Sequence, residues 1–279
     1  MVDNEIDWNA VWQKMNYENI NCHSFRECAS IWESKEKARK FLNQSKNRPE
    51  RIKHVIEALP VNPESRILDI GAGPGTLAVP LAGMASHVTA VEPATGMVEV
   101  MENYAKEEGV SNLSILQKRW EEVDPSKDLD GKYDIVLASY SLGMPDIKAA
   151  IKTMCEASSK WVYLFWFAGI SNWEQAMSNL WPEIHGKEYK PWPKADILFN
   201  VLYSMGIYPN VETTQMEQVQ RFPDLQAAIE EFKDHYRIGN SEQEKILSDY
   251  LNSRLKEDNG ELTLSGMTNR VKIWWNTGK

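Results

Sequence analysis

Two periodicities divide the chain. Short apolar runs, the pattern of strands buried on both faces of a parallel sheet, occur at Ile67, Leu68 and Ile70, then at His87 to Val91, Leu113 to Leu116, Tyr133 to Ala138 and Lys160 to Phe167. Between them the spacing of apolar positions changes to three and four. Met97, Val98, Met101 and Tyr104 predict a helix over Thr95 to Lys106, and a second helix is predicted over Asp146 to Ala157. Strand and helix alternating from 66 to 167 predict five strands of a doubly wound α/β sheet.

The flanks are helical in pattern. Over residues 5–59, Phe25, Ala29 and Trp32 share one helical face, and Ile52, Val55, Ile56 and Leu59 share another, before Asn62-Pro63 closes the segment. Beyond the fifth strand, Ala195 to Met205 predicts a helix ended by Gly206. Val211 to Val219 supplies a sixth strand and Lys272 to Trp275 a seventh. Between these two strands, Leu225, Ala228, Ile229 and Phe232 form one amphipathic face, and Ile246, Leu247, Tyr250 and Leu251 form another.

The first strand runs into Gly71, Gly73 and Gly75, followed by a helix-like segment with Leu77, Leu81 and Met84 on one side. A strand, a glycine turn and a helix start form the place where an open α/β sheet binds a nucleotide-like ligand. Glycine supplies unusual φ values there and lets the backbone approach the ligand. Asp69 breaks the apolar run with a carboxylate, which a core tolerates only with a partner. Glu92 ends the second strand, 21 residues after Gly71, and suits two ribose hydroxyls. A dinucleotide fingerprint reads G-x-G-x-x-G/A. Here the third glycine comes one residue early, with Thr76 in the last small position, and no Tyr-x-x-x-Lys pair follows the fourth strand. Both features weigh against an NAD-dependent oxidoreductase.

D-x-G-x-G-x-G followed by a strand ending in Glu resembles the class I S-adenosylmethionine-dependent methyltransferases, in particular the small-molecule group that includes the quinone-biosynthesis type. The resemblance covers roughly Asn62 to Phe167. It implies a seven-stranded, mostly parallel Rossmann-like sheet of order 3-2-1-4-5-7-6 with strand seven antiparallel. It implies S-adenosyl-L-methionine as cofactor and S-adenosyl-L-homocysteine as product. Asp69 would then engage the positive end of the methionine moiety, the backbone of Gly71, Ala72, Gly73 and Gly75 would pass close to it, Glu92 would hold the ribose, and Pro93 and Met97 would pack on the adenine. Many family members carry Asp where this chain has Arg119. Trp120 is left to stack on the base or to join the core, and Glu121 to supply an acceptor. Ser139 and Tyr140 stand at the end of the fourth strand, where such sheets hold ligands; a structural turn is the alternative. The run Ser139-Tyr140-Ser141-Leu142 replaces the Asn/Asp-Pro-Pro-aromatic motif of enzymes that methylate exocyclic or amide nitrogens.

Residues 1–61 read as an N-terminal helical extension or cap. By the resemblance it closes over the cofactor, with Trp12, Tyr17 or Trp32 facing the pocket; otherwise these rings pack the extension onto the sheet. Residues 62–279 read as the methyltransferase domain, with an aromatic segment at 169–193 and a helical insertion at about 222–258. The aromatic segment holds Trp173, Trp181, His185, Tyr189 and Trp192, broken by Pro182, Gly186, Pro191 and Pro193. It reads as a lid over an apolar acceptor or as a subdomain with its own small core. Tyr140 and His185 are the candidate catalytic residues, His185 as a general base, and Tyr17, Tyr140 and Trp173 the candidate substrate contacts. No base is obligatory when the nucleophile is a thiolate, a carbanion or a neutral amine.

Composition narrows the partners. Apolar residues at 42% and charged residues at 25% are ordinary globular values, and a net charge of -9 disfavours a nucleic acid. Lys35 to Lys53 nevertheless holds eight Lys/Arg and two Glu, either a footprint for RNA or an acidic substrate, or the solvated face of two helices. Cys22, His23 and Cys28 match no common zinc spacing, so no metal is expected. Three cysteines without a paired framework suit a reduced, cytoplasmic setting, and no apolar run approaches the ~20 residues of a membrane span. The expectation is a cytoplasmic methyltransferase acting on a small molecule, as monomer or homodimer. An RNA or protein acceptor, or a non-catalytic scaffold that binds the cofactor, stays open.

Overall fold

A computed structural model describes residues 6–22, 32–47 and 49–278. Its centre is a parallel sheet formed by the runs read above: Arg66–Ile70 (β1), His87–Val91 (β2), Leu113–Leu116 (β3), Tyr133–Ser139 (β4) and Ser158–Phe167 (β5). β1 lies between β2 and β4, with Leu68 aligned to Thr89 on one side and to Val136 on the other. Two long strands, Asn210–Phe222 (β6) and Glu261–Asn276 (β8), complete the order β3-β2-β1-β4-β5-β8-β6. β8 runs antiparallel to both neighbours. With β8 as the seventh strand, this is the order that the resemblance implies.

An additional short strand, Lys256–Asp258 (β7), forms a hairpin with β8 through Asn259-Gly260, both at positive φ. Such a two-residue turn matches the twist of the strands that it joins. β8 is far longer than the 272–275 run expected, because its outer part alternates Leu262 and Leu264 with polar residues and has no continuous apolar run. The helix after the glycine turn is only Ala78–Ala82 (α4) and stops at Gly83. Met84, expected on its apolar side, is exposed.

Both faces of the sheet are covered, as continuous apolar strands require. On one face pack Trp8–Cys22 (α1), Ile147–Ala157 (α7) and Ala195–Ser204 (α9). On the other pack Pro49–Glu57 (α3), α4 and Thr95–Glu107 (α5). Lys35–Lys46 (α2) lies on α5 through Ala38, Leu42, Met97 and Val100. Asn172–His185 (α8), Leu225–Tyr236 (α10) and Ser241–Arg254 (α11) form a third core with Trp181, Tyr189 and Phe222. The aromatic segment and the helical insertion thus share one interior. α8 starts on a capping box between Ser171 and Glu174. A short helix, Pro125–Asp128 (α6), precedes β4.

The N-terminal extension is fixed by specific bonds. Trp12 is fully buried beside Trp166, and its indole donates to the Met144 carbonyl at 2.9 Å. Asn16 donates to the Gly143 carbonyl at 3.0 Å, so α1 holds the loop that leaves β4. The basic run is not an open cationic face. Lys35 pairs with Glu99 at 2.8 Å, Lys37 with Asp234 at 3.0 Å and Lys40 with Glu231 at 2.6 Å. The last two pairs tie α2 to α10. His23, Phe25, Cys28 and Ala29 lie outside the described residues. Among the described residues no helix is long and apolar enough to cross a membrane.

Candidate active site

The glycine loop is held down at the carboxyl ends of β1 and β2. The amides of Gly71 and Ala72 both donate to the Val91 carbonyl, at 2.8 and 3.1 Å. Each glycine has a positive φ, and their surroundings differ. A Cβ on Gly71 would meet Ser141 Cβ at 2.4 Å, and one on Gly75 would meet Met101 Cγ at 2.7 Å. A Cβ on Gly73 would have nothing within 4 Å. Gly71 and Gly75 therefore serve packing within the chain, whereas Gly73 presents bare backbone to open space.

Two carboxylates lie beneath this loop. Glu92 accepts from the amides of Gly73 and Ala94, each at 2.9 Å. Burial pushes its pKa up, and those two amides oppose the shift. Asp69 is 2% exposed, and its Oδ2 is buried with no hydrogen-bond partner. Burial first, and the neighbouring Glu92 charge second, raise its pKa to about 7. Among the described residues no Lys, Arg or His side chain is paired with either acid. An orphaned buried carboxylate oxygen, a second acid on the loop amides and a bare glycine fit a ligand that brings a cationic group and hydroxyl donors. S-adenosylmethionine carries both. Glu33 adds to this acidic setting: it accepts from the Thr95 amide at 3.2 Å, at the start of α5.

The other expected site residues divide. Pro93 is half-buried beside Glu92, and Ser139 ends β4 opposite Phe165. Arg119 and Glu121 are exposed at the 3-10 turn Trp120–Glu122. Met97 is buried in the cluster that joins α2 to α5, so it packs helix on helix rather than lining an adenine cleft. Trp120 is 3% exposed and donates to the Ala150 carbonyl at 3.1 Å, which makes it a core residue. Tyr17 is 64% exposed on α1 and faces solvent. Trp173 packs on His235, and the His185 ring lies against Trp181 with Nε2 at 2.9 Å from the Tyr236 carbonyl. Both belong to the third core and not to the glycine loop. Trp32 lies edge-on to Phe41 in the α2–α5 cluster.

Tyr140 is at the sheet end as expected, and it has company that the sequence did not announce. Its φ is 57°, and its amide donates to the Phe165 carbonyl. The ring lies 5.1 Å from Phe167, with the Arg51 guanidinium 4.3 Å and the Arg270 guanidinium 5.0 Å from its centre. Arg270 Nη1 donates to the Tyr140 hydroxyl at 3.3 Å. Ser141, the next residue, donates to the Ile70 carbonyl at 2.6 Å and abuts Gly71. The chain therefore joins the Tyr140 cluster directly to the loop.

Residues 67–159 match the family model described as a methyltransferase domain. An uncharacterized protein of Haemophilus influenzae is 30% identical over 230 residues, 81% of each chain. A ubiquinone biosynthesis O-methyltransferase of Rickettsia felis is 34% identical over 93 residues, 32% of this chain and 36% of that enzyme; the match thus spans about a third of its length. Among solved structures, the BH2331 protein of Bacillus halodurans superposes with a TM-score of 0.59 at 14% identity, over 82% of this chain and 99% of that one, a likeness of fold. The chain belongs to the class I S-adenosylmethionine-dependent methyltransferases. It is a methyltransferase enzyme, and S-adenosyl-L-methionine is its cofactor.

Proposed function

We propose that the chain methylates a small molecule held at the carboxyl end of β4 and β5, beside Tyr140. The observation that carries this reading is the internal pairing of the basic run. Lys35, Lys37, Lys40, Lys46 and Lys53 each face a carboxylate of this chain. Little of the one cationic segment is left to track a phosphate backbone, in a chain of net charge -9.

When bound, S-adenosylmethionine supplies a methyl carbon on a sulfonium, transferred in line while the electrons of the broken C–S bond stay on sulfur. The residues of the chain set the geometry. Asp69 receives the cationic end of the methionine moiety, the Gly73 backbone allows close approach, and Glu92 accepts from the ribose hydroxyls. Tyr140 and Phe167 form the acceptor wall and keep water away from the nucleophile. His185, bonded to the Tyr236 carbonyl, has no part in proton transfer.

The test is calorimetric titration with S-adenosylhomocysteine and with NAD, followed by turnover assays on a cell extract divided by dialysis. Binding of the first ligand alone, with turnover on the dialysable fraction, supports the reading. Turnover only on the retained fraction assigns the acceptor to RNA or protein. Binding without turnover on either fraction favours a scaffold.

A further inference from the structure

Arg51 on α3 and Arg270 on β8 are far apart in sequence and converge on one ring, Tyr140. Among the described residues neither guanidinium forms an ion pair. Arg270 is 5% exposed, and its Nε is buried without a hydrogen-bond partner. Arg51 is half-buried, and its pKa is pushed down to about 10, by burial first and by the Arg270 charge second. A buried cation needs a counter-charge or a full set of acceptors. Each guanidinium has five N–H donors, and the Tyr140 hydroxyl accepts only one of them. The ring face attracts cations, but it cannot satisfy two planar forks, and bracing one tyrosine does not require two like charges.

A group that would satisfy both is a planar or tetrahedral oxyanion, which arginine takes through paired hydrogen bonds. We infer that Arg51, Arg270 and Tyr140 form a clamp for a carboxylate or phosphate group on the methyl acceptor. Its place in the fold favours the acceptor over the cofactor's own carboxylate. Arg270 aligns with Phe167 of β5, and β8 is separated from β1 by β4 and β5, roughly 14 Å at ordinary strand spacing. The cofactor elements are on β1 and β2. Ser141 couples the clamp to Gly71, so an acceptor anchored by its anion would present the rest of its body towards the loop.

This inference rests on the proposed function, and the two can fail separately. The probes are sodium benzoate and inorganic phosphate, each titrated into protein saturated with S-adenosylhomocysteine, with sodium chloride at equal ionic strength as control. The clamp predicts saturable binding of at least one oxyanion, weakened about tenfold or more in Arg270→Gln and in Arg51→Gln, while S-adenosylhomocysteine affinity stays within about twofold. Arg51→Gln, on a half-buried side chain, keeps the test open if Arg270→Gln fails to fold. The inference is overturned if the wild type binds neither oxyanion more than chloride. It is overturned equally if cofactor affinity falls in step in both variants, because the pair then holds the cofactor's carboxylate. Should the wild type bind no S-adenosylhomocysteine, the proposed function fails, and the same anion titration on cofactor-free protein still decides the clamp.

Discussion

The amide of Gly73 donates to Glu92 Oε2 at 2.9 Å, which ties the bare point of the glycine loop to the acid at the end of β2. Glu92 also takes the Ala94 amide, so one carboxylate sets both the loop and the start of α5. Hydrogen bonds to a charged acceptor contribute about 1.5–3 kcal/mol each. Glu92→Ala is therefore expected to weaken S-adenosylhomocysteine binding by about 10- to 100-fold, and Glu92→Gln to weaken it less. Calorimetry on folded variants checks this; an unchanged affinity would remove Glu92 from the ribose role.

Asp69 titrates near pH 7 in the folded chain, against an ordinary value of 3.8. The folded state thus binds this proton more tightly than the unfolded state. The associated stability is complete below pH 3.8 and is lost as pH rises towards about 7, at no more than about 1.4 kcal/mol per unit. The melting temperature of cofactor-free protein should fall between about pH 4 and about pH 7 and level off above that, and Asp69→Asn should flatten that fall. Over the same range wild-type affinity for S-adenosylhomocysteine should rise, because ionised Asp69 faces the ligand's ammonium group. A melting curve equally steep in Asp69→Asn would move the effect to another group.

The central strands were legible because β1, β2 and β4 are buried along almost their whole length and so appear as short, mainly apolar runs, His87 to Val91 to the residue; the edge strand β3, half-buried with Ser114 exposed, was legible from Leu113, Ile115 and Leu116. Asp69, Glu92 and the glycines were legible because each departs from that background. The acceptor side was not. Arg270 stands in the polar run Thr268 to Arg270 of β8, and only its register against Phe167 brings it to Tyr140. Arg51 was hidden among the eight basic residues of 35–53, of which Lys35, Lys37 and Lys40 turn outward to acids on other helices. Trp120 and Met97 could not be assigned from spacing for one reason: an aromatic or sulfur side chain near a strand end has the same signature whether it meets a ligand or a core. Tertiary packing decides, and spacing carries no record of it.

The two ends of the glycine motif should fail differently. Gly71→Ala forces a Cβ to 2.4 Å from Ser141 Cβ at a φ of 68°, so it should lower the melting temperature and the yield of folded protein. At Gly73 an added Cβ has nothing within 4 Å, so Gly73→Val is expected to cost chiefly the positive φ, at least about 1–2 kcal/mol for a β-branched residue. Its side chain fills the space left for the ligand, so the variant should fold and lose cofactor binding. Thermal unfolding beside calorimetry separates the two. Equal melting losses with equal affinity losses would mean that Gly73 is packing as well.

Trp120 provides the sharpest check on the core assignment. Its indole N–H donates to the Ala150 carbonyl on α7, and its ring belongs to the same cluster as Leu68, Val91 and Ile151. Trp120→Phe removes one neutral hydrogen bond and some buried area, about 1–2 kcal/mol together. If the ring is structural, chemical denaturation should show that loss while S-adenosylhomocysteine affinity stays within about twofold. If the ring stacks on adenine, affinity should fall while the denaturation midpoint of the cofactor-free protein barely moves. The burial of the indole and its bond to α7 favour the first outcome, which would leave the adenine to Pro93 and to backbone beyond Glu92.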